Sequence, residues 1–179
     1  MLLKLEKWAD RFSDLLGYLA GGLMVLMMVN VFLDAIMRYF FQTGSIAMQE
    51  MEWHLFSIVF LFGIAYGLKE DSHVRVDLVY DRLGPKPKAV INLAGAFLFL
   101  LPLAFLIIQG SLPFVAEAYN MNEISGDPGG LTHRWLIKAV IPTAFVFLMV
   151  STVGFVVRNI NLLHGVGTPH QRRVEDEIL

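Results

Sequence analysis

Four long stretches without a single charged residue dominate this chain: Leu15–Leu33, Trp53–Leu68, Ala89–Ala116 and Ala139–Val157. They run to 19, 16, 28 and 19 residues. A bilayer's hydrocarbon core is about 30 Å thick, and a helix crosses it with about 20 residues at about 1.5 Å each. Only helices and closed barrels satisfy every backbone N–H and C=O group in hydrocarbon, and none of the four runs alternates as a barrel strand does. The chain is therefore expected to be an all-α membrane protein. Its four transmembrane helices should lie near residues 15–37, 53–69, 88–116 and 136–158, within a membrane domain over 15–160. The second run is slightly short, which places Glu52 and Lys69 at the two interfaces. The third is too long for a perpendicular span and carries Pro102, so it should tilt, kink or protrude.

Composition points the same way. Of 179 residues, 56% are hydrophobic and 17% charged, and the charges fall almost wholly between the runs. A soluble helical protein spreads charge along each surface helix, because each needs a polar face. The net charge of −2 gives no basic field for nucleic acid. With no cysteine, disulfides, thiol nucleophiles, Cys-ligated zinc and iron–sulfur clusters are excluded.

Lys and Arg in the flanks set the orientation. With four spans, the N-terminal segment (Lys4, Lys7, Arg11), the second connection (Lys69, Arg75, Arg82, Lys86, Lys88) and the tail (Arg158, Arg172, Arg173) share one side. The other side holds only Arg38, Arg134 and Lys138. Eleven against three makes both ends cytoplasmic, with residues 161–179 a cytoplasmic tail. Before the first span, Leu5, Trp8, Phe12, Leu15 and Leu16 follow helical spacing. Residues 1–14 are accordingly expected to form an amphipathic helix in the cytoplasmic interface, the plain alternative being the start of the first span itself. The first run exceeds a signal-peptide core and lacks a small-x-small cleavage site, so it reads as a retained span.

Few residues offer chemistry. Gly17 and Gly21 in the first span and Gly63 and Gly67 in the second stand four apart at similar depth, the spacing that lets helices approach closely. Glycine face to glycine face is one reading; the general abundance of glycine in membrane helices is the other. Asp34 and Arg38 share a face at the outer end of the first span, either as an ion pair ending the span or as a contact to another subunit. Glu50 and Glu52 open the second helix; a carboxylate pair suits acid–base work, but negative charge is also favoured at a helix N-terminus. No histidine stands four from another ligand-type residue within a span, so a metalloprotease helix is absent. His54 and His133 both lie near the outer face, where a haem between helices would need its axial ligands. The span interiors offer only Asn30, Ser57, Asn92, Gln109, Ser151 and a few threonines, and substrate pathways usually need ionisable groups or broken helices. No catalytic residue, metal site or cofactor is expected. The chain reads as a membrane partner of another protein.

One segment carries a resemblance. Gln49-Glu50, Trp53 and the run Leu61-Phe62-Gly63-Ile64-Ala65-Tyr66-Gly67-Leu68-Lys69-Glu70-Asp71-Ser72-His73-Val74-Arg75-Val76-Asp77 resemble the small membrane subunit (DctQ type) of tripartite ATP-independent periplasmic (TRAP) transporters. In that family a Gln-Glu or Glu-Glu pair opens the second helix, and a cytoplasmic His-hydrophobic-x-Val-Asp follows it. His73, Val74, Val76 and Asp77 match. Asp34-Ala35-Ile36-Met37-Arg38-Tyr39 resembles the family's Arg-Tyr end of the first span, and Ile141-Pro142 fits the fourth. The likeness extends over about residues 15–160. It implies a heterodimer with a large membrane subunit that houses the substrate and sodium sites, served by a periplasmic substrate-binding protein. It further implies ion-gradient-driven symport of an organic acid, no enzymatic activity, and a place among the lipids of a prokaryotic inner membrane. Asp34, Arg38, Glu50, Glu52, His73 and Asp77 then become candidates for subunit contacts or structural roles. The competing reading is a membrane-anchor subunit of a respiratory or other enzyme complex.

Overall fold

The computed structural model describes residues 2–71, 80 and 83–165. Among them lie four helices: α1 (Leu2–Tyr39), α2 (Ile46–Lys69), α3 (Pro85–Asn120) and α4 (Trp135–Leu163), each long and apolar enough to cross a membrane. The all-α, four-span architecture expected from the sequence is the one the chain adopts. His73, Asp77 and the tail from residue 166 lie outside the described residues.

Local chemistry sets the helix ends. Ser45 has extended backbone, and its hydroxyl accepts the Met48 N–H at 3.4 Å, capping α2. Pro85, directly after Gly84, starts α3, where a missing N–H costs no hydrogen bond. The expected irregularity at Pro102 takes a definite form: residues Ala96–Leu100 wind as a π-helical turn, and the Leu101 N–H reaches back to the Ala96 carbonyl. Proline has no N–H and its ring crowds the carbonyl four residues earlier, here Leu98. Widening the preceding turn by one residue relieves that crowding while the helix continues. Pro113 and Pro142 also lie inside helices.

The helices are not equivalent. α4 packs on all three others, α1 and α2 pair with each other, and α3 rests mainly on α4. Leu68, Ala96, Leu148 and Phe155 form the buried apolar centre, with Ile64, Leu100, Phe145 and Val156 around it. Phe147 of α4 meets the rings of Phe12 and Phe62, each at 5.4 Å between centroids. Outward faces remain apolar, as lipid requires: Val25, Met28 and Phe32 on α1, and Phe97, Leu98 and Phe99 on α3, are exposed.

The N-terminal segment and the glycine pairs take definite forms here. Residues 2–14 are helical and continuous with the first span, and these first turns of α1 run antiparallel along the end of α4. Leu5, Trp8 and Leu15 do face outward. The opposite face, Glu6, Ala9, Asp10 and Ser13, is buried because α4 offers Asn161, Arg158 and Ser151 as polar partners. The glycine pairs, in turn, do not meet face to face. A Cβ on Gly17 would strike the Tyr66 ring at 2.6 Å, but Gly21, Gly63 and Gly67 have no neighbour within 4 Å of such an atom. The close helix approach lies elsewhere, at Gly154 of α4, where an added Cβ would sit 2.6 Å from that of Ala9.

Candidate functional site

The termini of α1 and α4 share one end of the bundle, here the terminal end; the α1–α2 and α3–α4 connections mark the distal end. Polar chemistry concentrates at both, and the spans between them stay apolar.

At the terminal end a buried network ties all four helices. Arg158 of α4, 6% exposed, donates from Nη1 to the Lys69 carbonyl at 2.9 Å and from Nη2 to Asp10 Oδ1 at 3.3 Å. Lys69, which the sequence placed at an interface, is 3% exposed and turns inward to pair with Asp14 and Glu70. Its ammonium thereby joins the end of α2 to α1. The Asn161 amide donates to Glu6 Oε2 at 2.8 Å, and the Ser13 and Ser151 hydroxyls are hydrogen-bonded at 2.9 Å. Asn92 of α3 donates to Asn159 Oδ1 at 2.9 Å and accepts the Tyr80 hydroxyl at 3.0 Å. Asn159 in turn donates to the Phe155 carbonyl at 2.8 Å. Buried charges persist only when paired and hydrogen-bonded. Glu6 Oε1 and Arg158 Nε are the two buried atoms of this network left without a partner.

The network's depth follows from the helix rise. Starting at Trp135, about 20 residues of α4 fill a 30 Å core, which brings Arg158, Asn159 and Asn161 to its far edge. There the α1 overhang shields them from water. The geometry suits fixing helix tilt and register rather than passing a solute.

At the distal end Glu50 acts as a clasp. It lies inside α2, beyond the first turn, and its carboxylate accepts the Ser125 hydroxyl and, at 2.6 Å, the Leu131 N–H. Ser125 N–H also donates to the Leu131 carbonyl at 3.0 Å, closing the α3–α4 connection on itself. Glu123 holds the start of α4 through Lys138, through Arg134 at 3.7 Å, and through its carbonyl, which accepts the Arg134 N–H at 3.1 Å. Asp34 pairs with Arg38 along α1. Asp34 is buried with Oδ1 unpartnered, and the Arg38 side chain is half exposed. Nearby, Asn30 donates to the Met48 carbonyl at 2.9 Å, locking α1 to α2. Glu52 is half-buried. Asp34 and Arg38 thus pair with each other along α1, and Glu50 finds its partners in the α3–α4 connection. Glu50 and Glu52 are not joined as an acid–base pair; Glu50 is engaged by the connecting loop. His54 and His133 do come together, on one cavity between α2 and α4.

Sequence reasoning missed the terminal network because its members are scattered from Glu6 to Asn161, each resembling an ordinary flank residue. The one available signal was the helical spacing of Glu6, Asp10 and Ser13 with Ala9, a second, non-apolar stripe on α1.

Comparison with known proteins follows this layout. A family model described as tripartite ATP-independent periplasmic transporters, DctQ component, matches residues 27–162. A TRAP transporter small permease protein of Haemophilus influenzae is 30% identical over 153 residues, covering 84% of this chain and 94% of that protein. A second protein of that description from the same organism is 24% identical over 148 residues, covering 83% and 86%. The family match takes in the distal part of α1, all of α2 and α3, α4 up to residue 162, the Glu50 clasp and Arg158, and the chain belongs to the DctQ family of TRAP transporter small permease components.

Proposed function

We propose that this chain is the bracing subunit of a TRAP permease: it holds a large membrane subunit while that partner carries an organic anion inward on an ion gradient. A periplasmic substrate-binding protein delivers the anion, and this chain performs no chemistry on it. The observation that carries the reading is the distribution of polar groups. Both ends of the bundle are cross-tied by hydrogen bonds and ion pairs, buried at the terminal end and partly buried at the distal end, whereas the helices between them expose apolar side chains. A solute pathway needs polar groups or unwound backbone at mid-membrane; a scaffold needs rigidity and an apolar perimeter. The eleven-to-three bias of Lys and Arg supports an inner-membrane orientation with both termini cytoplasmic.

Reconstitution tests this. In liposomes under an imposed sodium gradient, the chain alone is expected to move no organic anion. With the large subunit and the binding protein added, sodium-dependent uptake appears, and omitting this chain removes most of the flux. Uptake by this chain alone, or full flux without it, would overturn the proposal.

A further inference from the structure

Between α2 and α4 at the distal end lies an open cavity of about 350 Å³ that the bracing role does not use. Met51, His54 and Ile58 line it from α2, and Ile137 and Val140 from α4, with His133 from the connection before α4. Both helices run inward from the distal end, so depth follows residue number. At about 1.5 Å per residue, Ile58 lies about 6 Å deeper than His54, and Val140 about 8 Å deeper than Trp135, where α4 begins. The cavity's polar groups, on His54, Thr132 and His133, thus lie toward the distal end, beside Met51 and Leu131, and its deeper wall is wholly apolar. Its polar end is incompletely satisfied: His54 Nδ1 is buried with no hydrogen-bond partner. His133, which also lines the cavity, has its backbone in the left-handed region, at φ 59. Its Nδ1 is engaged by the Thr132 hydroxyl at 2.9 Å, which leaves Nε2 as the ring's other polar atom. Trp53 and Trp135 stand at the same level, where indole rings favour the headgroup region.

We propose that this cavity binds one glycerophospholipid, with an acyl chain against Ile58, Ile137 and Val140 and headgroup or ester oxygens accepting hydrogen bonds from His54 and His133. The match is one of complementary ends. A lipid oxygen offers acceptors where the protein has an unpaired imidazole, and a chain of methylenes fills a space whose deep wall is aliphatic. A flat ring ligand is disfavoured, because the lining has no aromatic ring beyond the two imidazoles to stack on it. Such a lipid would wedge α2 against α4 at the end opposite the Arg158 hub.

Native mass spectrometry of the full chain, stripped of lipid in detergent and titrated with phosphatidylethanolamine, tests the site. The same titration is run with the membrane partner that copurifies. The expected result is one saturable adduct in both preparations. Val140→Trp, which fills the cavity, should lose it, and Leu106→Trp on the exposed face of α3 should keep it. His54→Phe with His133→Ala preserves the apolar space but removes both donors, and should weaken binding about tenfold. Thermal unfolding of each variant without lipid separates loss of the site from loss of the fold; if Val140→Trp does not fold, the histidine variant decides alone. Equal adducts on every variant would mark a loose lipid annulus and overturn the proposal. An adduct seen on the isolated chain but displaced in the complex would give the cavity to a segment of the partner, with the same consequence. Palmitate binding as tightly as the phospholipid would remove the headgroup contact and also overturn it.

Discussion

At Gly154 the α4 backbone meets Ala9 so closely that any larger side chain must push two helices apart. Gly17 is a milder case, because the Tyr66 ring in its way is partly exposed and has room to swing. Gly21 and Gly63 face open space, and Leu there also improves helix propensity over Gly. Thermal unfolding in detergent should therefore rank the variants. Gly154→Leu destabilises most, Gly17→Leu costs about 1–3 kcal/mol as overpacking usually does, and Gly21→Leu is neutral or mildly stabilising. Equal loss at Gly17 and Gly21 would restore the glycine-face reading. Arg158 supplies the second residue-level test. Arg158→Met strands the Asp10 carboxylate and the Lys69 carbonyl, and should cost about 3–5 kcal/mol, as removing one partner of a buried pair does. Adding Asp10→Leu removes the stranded charge and should recover part of that loss. A double variant no better than the single would show that the two residues are not coupled.

Among the elements, the α3–α4 connection depends most on a single outside side chain. Glu50 reaches it from α2 through Ser125 and Leu131. Glu50→Ala should leave the four helices in place but free residues 121–134, because the carboxylate that accepts from both Ser125 and Leu131 is lost. Amide hydrogen exchange should rise in that connection and remain unchanged in α1. Unaltered protection there would mean that the Glu123 contacts to Lys138 and Arg134 suffice. α3 is the converse case, an element whose irregularity is built in. The π turn ahead of Pro102 widens the helix where the ring would otherwise collide with the preceding turn.

For the whole molecule, the asymmetry of packing matters more than the number of helices. α4 is the shared wall, α1 and α2 cover one side, and α3 stands on the other with its aromatic face outward. The proposed orientation has a direct test by labelling with an impermeant thiol reagent on intact cells, since the chain has no cysteine of its own. Asp127→Cys, in the exposed distal connection, should label, and Ser72→Cys, between α2 and α3, should not. Asp127 is preferred to Ser125 because the Ser125 hydroxyl is part of the Glu50 clasp. The reverse pattern would turn the molecule over.

The spans, their number and the side bias of Lys and Arg were legible in the sequence. They depend on local composition: a run of apolar residues excludes charge wherever it stands in the chain. The Asp34–Arg38 pair was legible for the same reason, its partners lying one helical turn apart. The burial of Glu6, Asp10 and Lys69, the clasp at Glu50 and the contact at Gly154 were not. Each depends on a partner distant in sequence, Asn161, Arg158, Asp14, Leu131 or Ala9, and on which face of each helix turns inward. In a bilayer an apolar face serves equally well against lipid or against another helix, so hydrophobic pattern cannot choose between them. Only the tertiary structure decides, because a charged group stays buried only where a partner reaches it, and for Glu6, Asp10 and Arg158 that partner comes from another helix.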